Sequence, residues 1–329
     1  MAPLRIVFMG TAEFSCASLE KLAGDPRFQI VSVVTQPDKP RGRDLKLQPT
    51  AVKSVAQRLN LPVSQPLKAR DPLFLETLRG LQPDLVVVVA YGQILPQTLL
   101  DLPRFGCLNV HTSLLPKYRG AAPIQWAVAN GEAETGVTIM KMDAGLDTGP
   151  ILSVRATPIL PADNSALLHD RLAQLGAELL VETIPGFVAG LIQPQPQPVT
   201  GSSYAAKIKK EDGKIDWRQP AREIWNRSRA FTPWPGAFTF LAGHAPAEPS
   251  PASAAPIAAK PMLLKIWQLE VVAGQGTPGE VLPDDQHGIV VACGESAVRI
   301  IELQREGGRR LPARAFLAGH PLKPGTRFL

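Results

Sequence analysis

The feature that most constrains the fold of this chain is the run Asp84–Tyr91, which reads DLVVVVAY. Four consecutive valines are too apolar and too β-branched for a surface helix. Such a continuous apolar run is typical of a strand that is covered on both faces, as in a parallel sheet flanked by helices. The run therefore predicts a buried strand in an α/β sheet.

The segments around this run alternate between strand-like and helix-like patterns through the first 190 residues. The patterns predict strands at Leu4–Gly10 and Gln29–Gln36, and helices at Ala12–Ala23, Thr50–Asn60 and Asn164–Gly190. This alternation predicts a doubly wound, mostly parallel, Rossmann-like domain over residues 1–190. Ligands of such sheets bind beyond the carboxyl ends of the strands.

The pattern changes after residue 190. Residues 191–206 contain the alternating run Gln193–Pro198, QPQPQP, which predicts an extended linker. Residues 207–329 then contain one helical segment, Pro220–Phe231, and several short strand-like segments, which are Ala237–Leu241, Met262–Val272, Gly279–Leu282, Gly288–Cys293 and Ala297–Leu303. Short strands separated by turn residues predict a small OB-like β-barrel. An Ala/Pro-rich insertion, residues 242–261, interrupts this barrel and is predicted to be a loop.

Composition excludes several classes of protein. The three cysteines, Cys16, Cys107 and Cys293, are far apart, so they fit neither a disulfide framework nor a metal-ligand spacing. The first residues lack the pattern of a secretory signal, and no uninterrupted apolar stretch has a membrane-spanning length. We therefore expect a cytoplasmic protein without a metal centre and without a membrane partner.

The charge balance favours a phosphate-rich partner. The chain carries a net charge of +6, and the 17 basic and 12 acidic residues after residue 190 account for most of it. Small barrels with excess positive charge often bind oligonucleotides. A solvated basic surface is the alternative interpretation of the same charge.

Five segments are candidates for chemistry, and one of them is Leu114–Gly120, which precedes a helical segment at Ala122–Asn130. Gly10-Thr11 follows the first strand but lacks the glycine fingerprint of a dinucleotide site, so it indicates a turn and no nicotinamide cofactor. Asn109 and His111 share one face of a strand-like run, although such residues are often structural. Asp147 stands between two glycines in a connection between strands, where a simple turn aspartate is the alternative. The irregular loop after Gln36 is basic, and it is either a phosphate-contacting finger or a solvated loop; its cations are Lys39, Arg41, Arg43 and Lys46.

Several motifs together resemble the formyltransferases that use 10-formyltetrahydrofolate. The central stretch, residues 109–125, reads NVHTSLLPKYRGAAPIQ. Further matching segments extend over nearly the whole chain and are Thr35–Asp38, Val89–Pro96, Glu134–Met140, Gly145–Gly149, Ile215–Trp217 and Arg229–Pro235. The basic loop and the Phe-x-Pro-Trp-Pro segment are most similar to the branch of the family that acts on methionyl-tRNA. Two departures from the family pattern are Thr112, where glycine is usual, and the insertion at 242–261.

The resemblance implies formyl transfer from 10-formyltetrahydrofolate to the α-amino group of methionine on initiator Met-tRNA. The implied catalytic residues are Asn109, His111 and Asp147. The folate pocket would include Ser113, Leu114, Leu115 and Pro116, together with backbone groups near Tyr91 and Leu95. Lys39, Arg41, Arg43 and Lys46 and the barrel would bind tRNA. No metal or nicotinamide is implied, and we expect a monomer.

Two other classes of function share parts of this pattern. One is a formyltransferase of a small amine, or a hydrolase of formyltetrahydrofolate, built on the same first domain. The basic loop and the net charge of the second domain argue against it. The other is a nucleic-acid-binding protein with a degenerate catalytic domain. The presence of Asn109, His111 and Asp147 together argues against that class.

Overall fold

The computed structural model describes residues 2–41, 46–242, 261–283 and 288–329. The chain divides into two compact units. The first unit comprises Met1–Ile124, Ala133–Ile159 and Leu167–Ala206. The second unit comprises Gln125–Glu132, Leu160–Ala166 and Lys207–Leu329.

The first part of the chain alternates strands and helices, as the sequence predicts. In chain order its elements are β1 (Leu4–Gly10), α1 (Phe14–Ala23), β2 (Phe28–Val34), β3 (Lys39–Arg41), β4 (Lys46–Gln48), α2 (Ala51–Arg58), β5 (Val63–Ser64), α3 (Pro72–Gly80), β6 (Leu85–Val89), α4 (Gln97–Leu100), β7 (Cys107–His111), β8 (Arg119–Gly120), α5 (Pro123–Ala129), β9 (Glu134–Lys141), β10 (Ile151–Pro158), α6 (Ser165–Val188) and β11 (Tyr204–Ala205).

The main sheet of the first unit has the strand order β10-β9-β7-β6-β1-β2-β5. The pairs from β7 to β5 are parallel, and β9 runs antiparallel to both of its neighbours. Every residue of β6 is buried, because the sheet is covered on both faces around the valine run. The doubly wound, mostly parallel sheet is therefore confirmed. The chain leaves β1 first towards β2 and later returns to β6, so a topological switch point lies between β1 and β6.

The basic loop differs from its prediction as an irregular segment. Strands β3 and β4 pair antiparallel, with Lys39 opposite Gln48, Pro40 opposite Leu47 and Arg41 opposite Lys46. Proline is tolerated there because an isolated two-stranded hairpin leaves one side of each strand without a ladder partner. Proline content therefore did not exclude a hairpin in this segment.

The segment predicted as a linker lies within the first unit. The main chains of Gln195 and Ile151 exchange two hydrogen bonds of 2.7 and 2.8 Å. Further along, β11 pairs in parallel with β8. These bonds fix residues 195–205 beside the loops that follow β7 and β9.

The second unit contains a small antiparallel barrel. After a 3-10 turn at Lys210–Gly213, its elements are α7 (Ala221–Ala230), β12 (Ala237–Leu241), β13 (Met262–Val272), β14 (Ile289–Ala292), β15 (Ala297–Arg305), β16 (Arg310–Pro312) and α8 (Ala313–Gly319). The strand order is β12-β13-β15-β14, and β16 pairs with β15. Two short segments connect the outer strands. Residues 327–329 bond to β12 and to residues 279–281, which in turn bond to β14.

The predicted strand Gly279–Leu282 forms isolated bridges and not a continuous ladder. Pro278 and Pro283 flank it and lack the N–H groups that would extend the ladder. The carboxyl-terminal segment that completes the barrel was not predicted, because three residues give no periodic signal.

Residues from the middle of the chain pack within the second unit. The Trp126 ring meets the Phe231 ring edge to face, with centroids 6.3 Å apart. The Ser165 hydroxyl donates to the Ala230 carbonyl at 2.6 Å, and the Arg229 guanidinium donates to the Asp163 carbonyl at 2.9 Å. No helix in the part of the chain that the structure describes is long and apolar enough to cross a membrane.

Candidate active site

The switch point between β1 and β6 is built from close backbone packing. Gly10 ends β1, and a Cβ atom there would lie 2.8 Å from the Cβ of Ser15. The close approach of α1 to the end of β1 therefore requires glycine at position 10. The Ser15 hydroxyl donates to the Val89 carbonyl at the end of β6. The Thr11 hydroxyl donates to the Tyr91 carbonyl at 2.9 Å. Gly10-Thr11 is therefore a structural turn, in agreement with the absence of a dinucleotide fingerprint.

Asn109 and His111 lie near the carboxyl end of β7, beside β6. Strand alternation places both side chains on the same face, two residues apart. Asn109 is half-buried, and its amide makes no hydrogen bond to another described residue. A polar group in this position is costly to bury without a partner. Its amide is thus free to bind a ligand that carries a carbonyl oxygen.

His111 is buried, and its two ring nitrogens face different acceptors. Nε2 donates to the main-chain carbonyl of Tyr118 at 3.0 Å. Nδ1 lies 3.7 Å from Oδ2 of Asp147. Burial lowers the pKa of His111, whereas the Asp147 charge and the bond to Tyr118 raise it, and burial is the largest of the three effects. The neutral ring with its proton on Nε2 is therefore favoured, and Nδ1 carries a lone pair.

Asp147 is held in a specific conformation by its neighbours. Its φ of 53° lies in the left-handed region. Its Oδ2 accepts a 2.8 Å hydrogen bond from the Gly120 N–H. The Gln197 side-chain amide donates to the carbonyls of Asp147 and Gly149, both at 2.8 Å. The structure thus brings Asp147 to His111, the meeting that sequence spacing alone did not establish.

The segment Ser113–Pro116 follows β7 directly and is well ordered by local bonds. The buried Ser113 hydroxyl donates to the Lys117 carbonyl at 2.6 Å. The Thr138 hydroxyl on β9 donates to the Ser113 carbonyl and accepts from the Leu115 N–H. Leu115 is buried, while Leu114 and Pro116 are half-buried. Thr112, where the family usually has glycine, is also half-buried.

Tyr91 and Leu95 contribute buried side chains to the core of the first unit. Burial raises the pKa of Tyr91 to about 12, and its hydroxyl makes no hydrogen bond within the described residues. The Tyr91 carbonyl already accepts bonds from Thr11 and Gln36. Because neither side chain is exposed and the Tyr91 carbonyl is already bonded, a ligand would contact this region through other main-chain N–H or C=O groups near Tyr91 and Leu95.

The base of the basic hairpin is fixed by a short polar network. Asp38 accepts from Lys53 at 2.6 Å and from Gln65 at 2.7 Å, and these bonds lower the pKa of Asp38. The exposed Lys39 ammonium donates to the Gln36 side chain at 3.0 Å. Arg43 lies outside the described residues, as do the side chains of Arg41 and Lys46 and most of the insertion at 242–261.

Sequence reasoning missed three residues of this site. Tyr118 supplies the carbonyl that binds His111, and Gln197 fixes the Asp147 loop. Arg119 donates to Gln197 from Nε and Nη2. Tyr118 and Arg119 lie inside the motif at residues 109–125, so the motif could have indicated them. Gln197 lies in a Pro-Gln repeat that resembled a linker, so no sequence pattern indicated it. Within the described ranges there is no cluster of three or more His, Cys, Asp or Glu side chains that could hold a metal.

Two family models match the chain. The model described as "Formyl transferase" matches residues 4–184, and the model described as "Formyl transferase, C-terminal domain" matches residues 207–321. Together they cover both structural parts and most of the length. Asn109, His111 and Asp147 all lie in the first match.

Similar proteins extend over the full length. The methionyl-tRNA formyltransferase of Geobacter sulfurreducens is 50% identical over 327 residues, which cover 99% of this chain and 97% of the relative. That of Aromatoleum aromaticum is 48% identical, with coverage of 99% and 98%.

Solved structures share the fold at lower identity. An N-formyltransferase from Helicobacter canadensis, in complex with folinic acid and dTDP-3-aminofucose, is 18% identical with a TM-score of 0.64, and the match covers 90% of this chain and 98% of that one. HypX from Aquifex aeolicus, in complex with tetrahydrofolic acid, is 19% identical with a TM-score of 0.58, covering 95% and 47%. The family matches and the full-length identity give the same conclusion: this chain belongs to the formyl transferase family, in its methionyl-tRNA formyltransferase branch.

Proposed function

We propose that this chain transfers the formyl group of 10-formyltetrahydrofolate to the α-amino group of methionine on initiator Met-tRNA. The observation that carries the proposal is the buried His111 ring facing the half-buried Asp147, beside the unpartnered Asn109 amide. The chain is about half identical over its length to methionyl-tRNA formyltransferases. An α-amino group has a pKa of about 7.7–8.0, so a useful fraction is neutral near pH 7.5. The neutral amine is the nucleophile.

Asn109 is suited to stabilise the transition state. When bound, 10-formyltetrahydrofolate supplies an activated formyl group whose oxygen gains negative charge as the amine attacks. The Asn109 amide is a donor without a partner among the described residues, so it is free to bind that oxygen. Loss of one such donor typically costs about 10²–10³ in rate.

His111 and Asp147 are suited to accept the proton that the amine releases. The Nε2–H of His111 is already donated to Tyr118, so this proton does not reach the formyl oxygen. Nδ1 carries the lone pair and faces Asp147. A proton taken up on Nδ1, directly or through water, places an imidazolium between the Tyr118 carbonyl and the Asp147 carboxylate. Both groups stabilise that charge, so the pair acts as a general base. As the bond between the formyl carbon and the folate nitrogen breaks, that nitrogen would gain a proton and leave as tetrahydrofolate.

The remaining assignments follow the course of the chain beyond β7. Ser113, Leu114, Leu115 and Pro116 form a fixed segment directly after His111, which supports a role in the folate pocket. Backbone groups near Tyr91 and Leu95 at the switch point would complete that pocket. Lys39, Arg41, Arg43 and Lys46 would contact tRNA phosphates, because strand β2 leads into this basic loop from the carboxyl edge of the sheet.

The reaction is tested with the full-length chain, 10-formyltetrahydrofolate and three acceptors: initiator Met-tRNA, elongator Met-tRNA and free methionine. We expect rapid formylation of initiator Met-tRNA and at least about tenfold lower kcat/KM for the other two. Equal activity on free methionine would support a small-amine formyltransferase. Release of formate without acceptor would support a hydrolase, and tRNA binding without turnover would support a degenerate enzyme.

The role of the basic loop is tested by Arg43→Ala. We expect kcat/KM for initiator Met-tRNA to fall more than threefold, the folate KM to stay unchanged, and discrimination against elongator tRNA to weaken. Arg43→Lys should restore only part of the loss, because an ammonium does not replace a bidentate guanidinium. A loss below threefold, the range of an ordinary surface substitution, would indicate a solvated loop.

A further inference from the structure

Arg119 is a half-buried cation whose charge is not neutralised by a carboxylate. Its Nε and Nη2 atoms donate to the side-chain oxygen of Gln197 at 3.1 and 2.6 Å. In the described ranges no Asp or Glu oxygen forms an ion pair with it, and Nη1 makes no hydrogen bond. A guanidinium that is held by a neutral amide keeps its full charge and is prepared to bind an anion.

Gln197 connects this cation to the proposed catalytic loop. The same side chain that accepts from Arg119 donates to the carbonyls of Asp147 and Gly149. Gly120, the next residue after Arg119, donates its N–H to the Asp147 carboxylate at 2.8 Å. The guanidinium is therefore fixed within one side chain's length of Asp147, and its orientation is set before any ligand binds.

Arg119 faces an open surface cavity of about 460 Å³ beside the Asp147 loop, lined largely by exposed residues. Its other lining residues are mostly apolar and are Thr148, Pro150, Pro196, Gln197, Pro198 and Val199. The Thr148 hydroxyl already donates to Asp143, a carboxylate that does not line the cavity. Arg119 is thus the sole charged residue in a lining otherwise formed by prolines, a valine and two uncharged polar side chains.

We propose that this cavity binds a backbone phosphate from the terminal nucleotides of the acceptor end of tRNA, with Arg119 as the phosphate-binding residue. The inference rests on the proposed function, because it places the methionyl amine at Asp147. The methionyl group is esterified to the last nucleotide, so a phosphate must lie within a nucleotide's length of the reacting amine. Arg119 stands beside Asp147 with a free Nη1, which fits that requirement. Such a phosphate contact fixes the register of the acceptor end and does not read a base.

The test compares two acceptors that differ in their phosphates: initiator Met-tRNA and methionyl-adenosine, which has none. For Arg119→Ala we expect kcat/KM on Met-tRNA to fall about 10- to 100-fold, the range for a lost charge-assisted hydrogen bond. On methionyl-adenosine, which has no phosphate to lose, the fall in kcat/KM should be at least about tenfold smaller than on Met-tRNA. The salt dependence of kcat/KM on Met-tRNA should become shallower by about one in the log–log slope.

Arg104→Ala is the matched control. Arg104 is exposed and precedes the amino end of β7, whereas Arg119 follows its carboxyl end. The substitution therefore removes one positive charge that lies away from the proposed site. It should change kcat/KM on either acceptor by less than threefold. Arg119→Lys, which keeps the charge, should retain more activity on Met-tRNA than Arg119→Ala and serves if the alanine variant unfolds.

Three results would overturn the inference. An equal loss on both acceptors would mean that Arg119 acts only through the Asp147 loop. A raised KM for 10-formyltetrahydrofolate would assign the cavity to the carboxylates of the folate. An unchanged kcat/KM on Met-tRNA would make Arg119 an ordinary surface cation. Failure of the proposed function looks different, because the wild-type chain itself would then not formylate Met-tRNA.

Discussion

Polar side chains have different hydrogen-bond partners at the end of β7 and in the barrel. In the barrel, the fully buried Thr239 hydroxyl accepts from the Trp217 ring N–H and donates to the Leu329 carbonyl, both at 3.0 Å. On β7, the Asn109 amide makes no bond within the described residues, and Nδ1 of His111 meets only a carboxylate 3.7 Å away. Burial without partners costs free energy. The difference teaches that the partnered Thr239 hydroxyl stabilises the fold, whereas the unpartnered Asn109 amide is available to the proposed reaction.

The largest expected effect is at Asn109. Asn109→Asp keeps the size of the side chain but replaces the amide donor with an acceptor that repels developing negative charge. We expect kcat to fall by about 10²–10³ in formyl transfer to Met-tRNA. Thermal unfolding should shift little, because the amide has no partner in the described part of the chain to lose.

Asn109→Ser serves as the companion variant, since it restores a small donor and should recover part of the rate. Near wild-type turnover in Asn109→Asp would show that the amide does not stabilise the transition state. The lack of a partner at Asn109 would then have no link to the reaction.

The opposite outcome is expected at Thr239. Thr239→Val leaves the Trp217 N–H and the Leu329 carbonyl without their partner, so the free energy of unfolding should fall by about 1–3 kcal/mol. Turnover per folded molecule should not change. Urea unfolding and active-site titration measure the two quantities, and Thr326→Val, which removes an exposed hydroxyl, is the control. A fall in kcat with unchanged stability would contradict the assignment of Thr239 to the scaffold.

The smallest effect concerns the protonation of His111. Burial lowers its pKa in the folded chain below the unfolded value of about 6.5. Below that pH the unfolded state therefore binds more protons than the folded state. The contribution of neutral His111 to the free energy of unfolding is fully present above pH 6.5 and is lost as the pH falls through the folded pKa. The slope is at most about 1.4 kcal/mol per pH unit.

The check is the difference in unfolding free energy between the wild type and His111→Gln from pH 8 to pH 5. Other histidines contribute equally to both proteins and cancel in this difference. The free energy of unfolding of the wild type should decrease relative to that of the variant as the pH falls. A gain on acidification would mean that the Asp147 charge outweighs burial.

Much of the fold could be predicted because its signals are local and periodic. The valine run predicted β6, and the helical pattern of residues 164–190 predicted α6, which spans Ser165–Val188. The elements that sequence did not show depend on distant partners. The β3–β4 hairpin was masked by its prolines, and the segment 327–329 closes the barrel through bonds to β12 and Glu280.

The proposed site also combines residues that local sequence patterns predict with contacts that depend on distant parts of the chain. Strand alternation placed Asn109 and His111 on one face from sequence alone. The approach of Asp147 to His111 depends on the Gly120 N–H and on Gln197, which are 27 and 50 residues from it along the chain. Contacts at such separations leave no periodic trace, so only the family motif indicated them.

The most direct test of the central claim is a double-mutant cycle on His111 and Asp147 in single-turnover formyl transfer to Met-tRNA. His111→Ala and Asp147→Ala should each lower the rate by at least about 10², with little change in tRNA affinity. The double variant should lose far less than the product of the two, because residues that act as one unit are not additive. Losses that multiply would show two independent groups and contradict a shared proton acceptor, and near wild-type rates in either single variant would remove that residue from the reaction.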